Sequence, residues 1–408
     1  MIMGISKISR AALTISVAFV VGLANMSTAL AQKRTLAELK VEVQTRADHN
    51  TYPLAGLSPD EVREALGRLN TLDPNEWAAS WSILGDHYMT KAQGELPSSA
   101  AQADKDFIRA WRYYTIGRYP VPDSPGKEKA YEKALEAFLA HGRLLDPPLE
   151  IVHIPFEGKE IIGYVQMPKG AKVAPMIVAI GGLDSRKEDM AEMFRSGLAS
   201  GVGYLALDPP GAGQAPIKAS PGAERMLMRA FDYAFQRPDV DQGRVAIYGS
   251  SLGGYWVTIL AATEYNRARA VVALSPPVHY TFQRERTMAV PTNREYLMDY
   301  LEAQLFTYEG ATDIETLAQV REKMSLKTRG GILDAPMAPM LVIGGALDTQ
   351  VPVSDVELLL VSGHTPKEFW INPQGRHTGR DSKEWPDARV FETVTVPWIL
   401  RMLGVKTD

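Results

Sequence analysis

The sequence predicts an α/β fold: a mainly parallel central sheet, preceded by an all-helical domain and carrying an inserted helical lid. Three observations predict it. Apolar residues recur at helical spacing from about residue 34 to 146, and from residue 150 onward short apolar runs alternate with helix-length segments. At one junction of run and helix stands "IYGSSLGGYW", residues 247 to 256, with two adjacent serines between glycines.

The first thirty-one residues read as a secretory signal rather than as part of the fold. Lys7 and Arg10 form a basic start, residues 11–23 form an apolar stretch short for a membrane span, and Ala29-Leu30-Ala31 offers small residues at the cleavage positions. Cleavage after Ala31 implies a periplasmic or secreted protein with no membrane attachment thereafter; an uncleaved anchor is the alternative. Without Lys7 and Arg10 the formal charge moves from −4 to −6, and no basic block stands out, which argues against a nucleic-acid partner. Cysteine is absent, so stability rests on the core alone.

Residues 32–147 read as a helical cap of about four helices. In "LSPDEVREAL", Ser58 stands as N-cap, Pro59 as first helical residue and Glu61 three positions on, which predicts a capping box. Trp77, Trp81, Leu84 and Tyr88 share one helix face; Phe107, Trp111 and Tyr114, then Tyr131, Leu135 and Phe138, repeat the spacing. "LLDPPLE" ends the pattern.

Residues 148–408 read as the sheet-bearing unit. Runs at 150–154 and 160–167 around "PFEGK" predict a hairpin, followed by strands at 176–180, 204–207, 244–248, 270–274, 339–343 and 367–371. Residues 278–335, too long for a simple crossover and rich in tyrosine and phenylalanine, predict the lid. "LDPPGAGQ" reads as a structural turn anchored by Asp208.

Gly249-Ser250-Ser251-Leu252-Gly253 fits G-x-S-x-G with Ser251 central, at a strand-to-helix turn where a serine can be presented as a nucleophile. In that setting the acid and then the base follow along the chain. Asp348, just after the strand at 339–343, suits the acid, and His377 in "NPQGRHTG", after the last strand, suits the base; His364 precedes that strand and falls at the other end of the sheet. The Leu252 N–H would be one oxyanion donor, and Gly182 or Leu183, after the strand at 176–180, the second. Trp111, Tyr114, Tyr255 and His279 are expected to line the substrate pocket. His87 and His141 are isolated on helices, and the sequence implies neither metal nor cofactor.

"RAWRYYTIGRYPVPDSPGKEKAYEKALEAF", with "GGLDSRKED", "DPPGAGQ" and "GSSLGG", resembles the helical-cap group of α/β-hydrolases. That group includes 2,6-dihydroxypseudooxynicotine hydrolase, fungal polyketide-shortening hydrolases and the fermentation-respiration switch esterases. The resemblance implies a triad of Ser251, Asp348 and His377 roofed by the helices, acting on an ester or on a carbon–carbon bond beside a ketone of a small, aromatic molecule. It leaves room for a homodimer. In the nicotine-pathway relative a further carboxylate is expected soon after the strand that follows the elbow; "SPPVHYTFQRE" offers only Glu285, at a distance. A serine peptidase, or a binding protein that keeps the fold without catalysis, are the competing functions.

Overall fold

The structure, a computed structural model, describes residues 33–381 and 383–406, so the expected signal segment lies outside the described residues. Five helices come first: α1 (Leu36–Asp48), α2 (Pro59–Arg68), α3 (Pro74–Glu95), α4 (Ala100–Gly117) and α5 (Pro125–Leu144). Side chains of Asp73, Ser99 and Ser124 accept backbone N–H groups at the starts of α3, α4 and α5. Trp77, Trp81, Leu84 and Tyr88 are all buried, and Trp81 stacks on Tyr113 at 6.5 Å. The capping box expected at Ser58 does not form. Ser58 is the N-cap of α2 and Pro59 its first residue, but the serine makes no cap bond. The Glu61 carboxylate accepts from Tyr88, Tyr113 and Arg109 instead, three side-chain donors outcompeting one backbone N–H.

All eight expected strands are present: β1 (Glu150–Phe156), β2 (Lys159–Gln166), β3 (Ala174–Ile180), β4 (Gly203–Leu207), β5 (Val240–Ser250), β6 (Ala270–Leu274), β7 (Met340–Gly345) and β8 (Glu368–Asn372). They form one sheet in the order β1-β2-β4-β3-β5-β6-β7-β8, with the β1–β2 and β2–β4 pairs antiparallel and the rest parallel. The β1–β2 turn is made by Glu157 and Gly158, both at positive φ, which matches the twist of the flanking strands. Strands β3, β4, β6 and β7 are buried along their whole length and β5 from Val245 to Gly249, because helices cover both faces: α6 (Lys187–Phe194), α7 (Glu224–Gln236), α8 (Leu252–Thr263) and others. Between β6 and β7 the lid segment folds as short helices α9 (Arg284–Met288), α10 (Tyr300–Thr307) and α11 (Ile314–Glu322). The chain closes with α12 (Val353–Val361), α13 (Asp387–Val390) and α14 (Val396–Met402). No helix among the described residues is long and apolar enough to cross a membrane.

The cap grips the lid through arginines that donate to main-chain carbonyls. Arg34 donates to Tyr296 O at 2.8 Å, Leu297 O at 2.6 Å and also Arg294 O; Arg46, on α1, donates to Glu295 O at 2.7 Å and Tyr52 O at 3.2 Å. Arg118, after α4, donates to Asp184 O at 2.6 Å and so ties the cap to the loop after β3.

Beneath the cap, Lys187 is fully buried with its ammonium 3.0 Å from Asp208 and 2.8 Å from Glu188. Burial alone would lower its pKa; the two carboxylates hold it raised, so the cation persists. Replacing it by Lys187→Met leaves two buried carboxylates without their cation. We expect a loss of about 3–5 kcal/mol of stability near neutral pH. Those carboxylates would then have folded-state pKa values above their unfolded ones, so the deficit should shrink as pH falls. Urea denaturation at about pH 7 and about pH 5 measures both effects.

Candidate active site

Ser251 sits between β5 and α8 with φ 54° and ψ −119°, a conformation that side chains rarely adopt and that stores about 1–3 kcal/mol of strain. Its N–H is fixed by Leu274 O at 2.8 Å. The tight turn requires glycine at Gly253, where a Cβ would lie 2.6 Å from Ile180 O, and at Gly249, where it would lie 2.6 Å from Gly253 C. These close approaches bring α8 down onto the ends of β3 and β5, so the serine stands at the carboxyl end of the parallel sheet.

The loop after β3 comes alongside. A Cβ on Gly182 would be 3.3 Å from Ser251 Cβ, which shows how close this backbone passes. The Gly182 N–H, however, donates to Ser185 Oγ at 2.6 Å. Of the two expected oxyanion donors on this loop, that leaves Leu183. The Leu183 and Leu252 N–H groups make no hydrogen bond among the described residues.

His377 follows β8 and Asp348 follows β7. His377 Nδ1 lies 2.8 Å from Asp348 Oδ2, while Asp348 Oδ1 accepts the N–H groups of Gln350 at 2.9 Å and Val351 at 2.8 Å. Both oxygens of the carboxylate are thereby engaged and the imidazole orientation is set. Ser251 and His377 line one cavity of about 490 Å³. Burial pulls the His377 pKa down, but the Asp348 carboxylate, with a smaller contribution from Glu295, holds it above its ordinary value.

Glu295, from the lid, is the residue that sequence reasoning missed. Its Oε1 accepts the His377 backbone N–H at 2.6 Å, and its Oε2 accepts Thr349 N–H at 2.8 Å and Thr349 Oγ at 2.7 Å. One carboxylate thus joins the histidine loop to the aspartate loop. Glu285, the distant sequence candidate, is exposed on α9 and does not reach the cavity.

Of the four side chains expected at the pocket, Trp111 lines it and three do not. Tyr114 turns into the α3–α4 groove and donates to Asp86 at 2.6 Å. Tyr255 donates to Met324 O at 2.9 Å beneath the lid, and Arg329 donates to it at 2.8 Å. His279 is held by Ser325 Oγ at 2.7 Å on Nδ1 and by Asp355, which accepts its N–H. The rest of the aromatic lining comes from Tyr52 and Tyr119 of the cap, Tyr296 and Tyr300 of the lid, and Tyr248 and Phe391.

A model of the FrsA-like esterases, described as "Esterase FrsA-like", matches residues 67–375. The chain belongs to the FrsA-like esterase family. Among its relatives, esterase FrsA of Vibrio vulnificus strain YJ016 is 26% identical over 288 residues, covering 69% of this chain and 68% of that one. Hydrolyase poxO of Penicillium oxalicum is 29% identical over 243 residues, 55% of this chain; the match spans only 57% of that relative's length. Two solved structures share the fold of this FrsA-like protein at 18% identity. They are 2,6-dihydroxy-pseudo-oxynicotine hydrolase (TM-score 0.71, 88% of this chain and 95% of the other) and AbyA5 (TM-score 0.72, 91% and 96%). The FrsA-like protein is thus an α/β-hydrolase in fold, with its cap included in the likeness.

The His377 environment can be read directly. In Asp348→Asn the main group that raises its pKa is gone and burial remains, so the imidazole should titrate below the wild type; a nitrogen-15 NMR titration in which the two coincide would refute the assignment of cause.

Proposed function

We propose that this protein is an exported serine hydrolase that cleaves an ester, or the carbon–carbon bond beside an activated ketone, in a small aromatic molecule. The observation that carries this reading is the strained Ser251 sharing a cavity with His377, whose other ring nitrogen faces Asp348. No cofactor enters the reaction.

The roles follow from that geometry. With Nδ1–H donated to Asp348, Nε2 is the free base that takes the Ser251 proton as Oγ attacks the carbonyl carbon. The negative charge that develops on the carbonyl oxygen is met by the N–H groups of Leu183 and Leu252, the latter at the start of α8, where the helix dipole adds to the attraction. Collapse of the tetrahedral intermediate breaks the bond to the leaving group, which takes the proton from His377. An ester releases an alcohol in this step, and a β-diketone releases a ketone through its stabilised carbanion. Water, deprotonated by His377, then attacks the acyl-serine, and the acid departs with Ser251 restored. Glu295 acts as a positioning residue, since both of its oxygens already hold donors of the two catalytic loops.

The first test uses the mature protein from Gln32 and its Ser251→Ala variant on matched aryl esters and aryl β-diketones, with products identified by mass spectrometry. Wild type should turn over one series, and Ser251→Ala should lose about a thousandfold or more. Turnover retained in the variant would remove serine from the mechanism.

The acid limb of kcat/KM against pH supplies the second test. Because His377 must be neutral to act as base and its pKa is raised, wild-type activity should rise through a midpoint above the ordinary histidine value. Glu295→Gln removes one nearby negative charge, so its limb should move to lower pH and kcat should fall as the histidine loop loosens. An unmoved limb would show that Glu295 does not act on the imidazole.

A further inference from the structure

We propose that Arg380 forms an anion-recognition subsite beside the catalytic histidine, and that the substrate carries a carboxylate separated by a few carbons from the bond that is cleaved. This rests on the hydrolase reading above and names its substrate class.

Arg380 follows His377 by three residues and lines the same cavity, with only 17% of its side chain exposed. Asp387 and Glu295 offset the burial of its charge, but its N–H groups are little used. Nη1 has two long contacts, 3.4 Å to Thr378 Oγ and 3.4 Å to Asp387 Oδ1, and that Asp387 oxygen already accepts Thr378 Oγ at 2.8 Å. Nε and Nη2 make no hydrogen bond among the described residues. Neither is among the sealed polar atoms that lack a partner, which accords with an opening onto the cavity.

Several other charged groups around the cavity are occupied, although Arg112 donates only from Nη1, to Gly56 O at 3.1 Å, and Asp184 and Glu392 add carboxylates to the lining. Arg46 uses all three nitrogens, on Glu42, Tyr52 O and Glu295 O. Glu192 is paired with Arg195, Glu295 holds three donors, and Asp189 accepts the Arg186 N–H. Arg380 is therefore a cation beside the reacting atoms with a free edge. Guanidinium stays ionised at any working pH, so the missing partner cannot be offset by losing a proton.

The chemistry of the ligand follows from the shape of that edge. Nε–H and Nη2–H point in parallel and match the two oxygens of a carboxylate. The guanidinium carbon stands over the Tyr52 ring, 5.7 Å from its centre. A half-ester of a dicarboxylic acid, or a keto acid of similar length, would place its acid group there while its carbonyl meets Ser251. A cavity of about 490 Å³ holds an aryl half-ester of that kind.

The test compares aryl half-esters of succinate and glutarate with the uncharged aryl butyrate and pentanoate, using wild type, Arg380→Gln and Arg380→Lys. Wild type should prefer the half-esters by about tenfold or more in kcat/KM. Arg380→Gln should erase that ratio mainly through KM, and Arg380→Lys should keep part of it. If Arg380→Gln slows both series by the same factor, Arg380 only braces the histidine loop and the proposal fails.

Binding supplies a readout independent of turnover. Ser251→Ala is titrated calorimetrically with glutaranilic acid and with uncharged pentananilide, and again with Arg380→Gln added. Preference for the acid that disappears in the double variant supports the subsite even if no ester is hydrolysed, in which case the hydrolase reading alone falls. Equal binding of the two ligands by Ser251→Ala overturns the subsite whatever the esters do.

Discussion

A backbone that resists its own residue organises this molecule. Ser251 is held at positive φ because three neighbours leave it no room to relax: its N–H is bonded to the end of β6, Gly253 presses on the end of β3, and Gly254 abuts Leu274 and Pro276. The strain is small against the burial of α8, whose side chains from Leu252 to Ala262 are all inside. Once α8 is seated, the Leu252 N–H and the loop after β3 face the same point, and the strands beyond β6 bring Asp348 and His377 to the same end of the sheet. Geometry at the serine is thus inherited from packing some distance away.

The lid completes what the sheet begins. Strand ends can bring an aspartate and a histidine together, but they leave the two loops free to drift apart. Glu295 bridges them with its two oxygens, and it is held in turn by Arg46, which grasps its carbonyl from α1. Cap, lid and sheet therefore meet at one residue, Glu295, held through its carbonyl by the first helix and through its carboxylate by the two loops.

The eight strands and the cap helices were legible in the sequence because each is a local pattern: buried parallel strands are apolar throughout, and cap helices show one apolar face. The order serine, aspartate, histidine was legible for a related reason, since chain order and strand ends constrain where each side chain falls. Three pocket assignments were not. Tyr114 lies three positions from Trp111 on α4, and helical rotation sends it to Asp86 rather than to the cavity. Tyr255 and His279 look polar and available in sequence, yet each is consumed by lid partners far along the chain, Met324 and Ser325. Glu295 escaped notice because nothing local distinguishes it; its role arises only when an irregular segment folds over the sheet. The failed capping box at Ser58 teaches the same point, since a carboxylate goes to whichever donors tertiary structure supplies.

The arginine grip of Arg34 and Arg46 on the lid carbonyls bears on how the enzyme comes into being. Both residues belong to the first twenty described positions, and the carbonyls they hold lie more than two hundred residues later. The grip on the lid can form only after residue 297 has been made. A chain without its first helices would keep Ser251, Asp348 and His377 but lose the arginines that tie the lid down beside them.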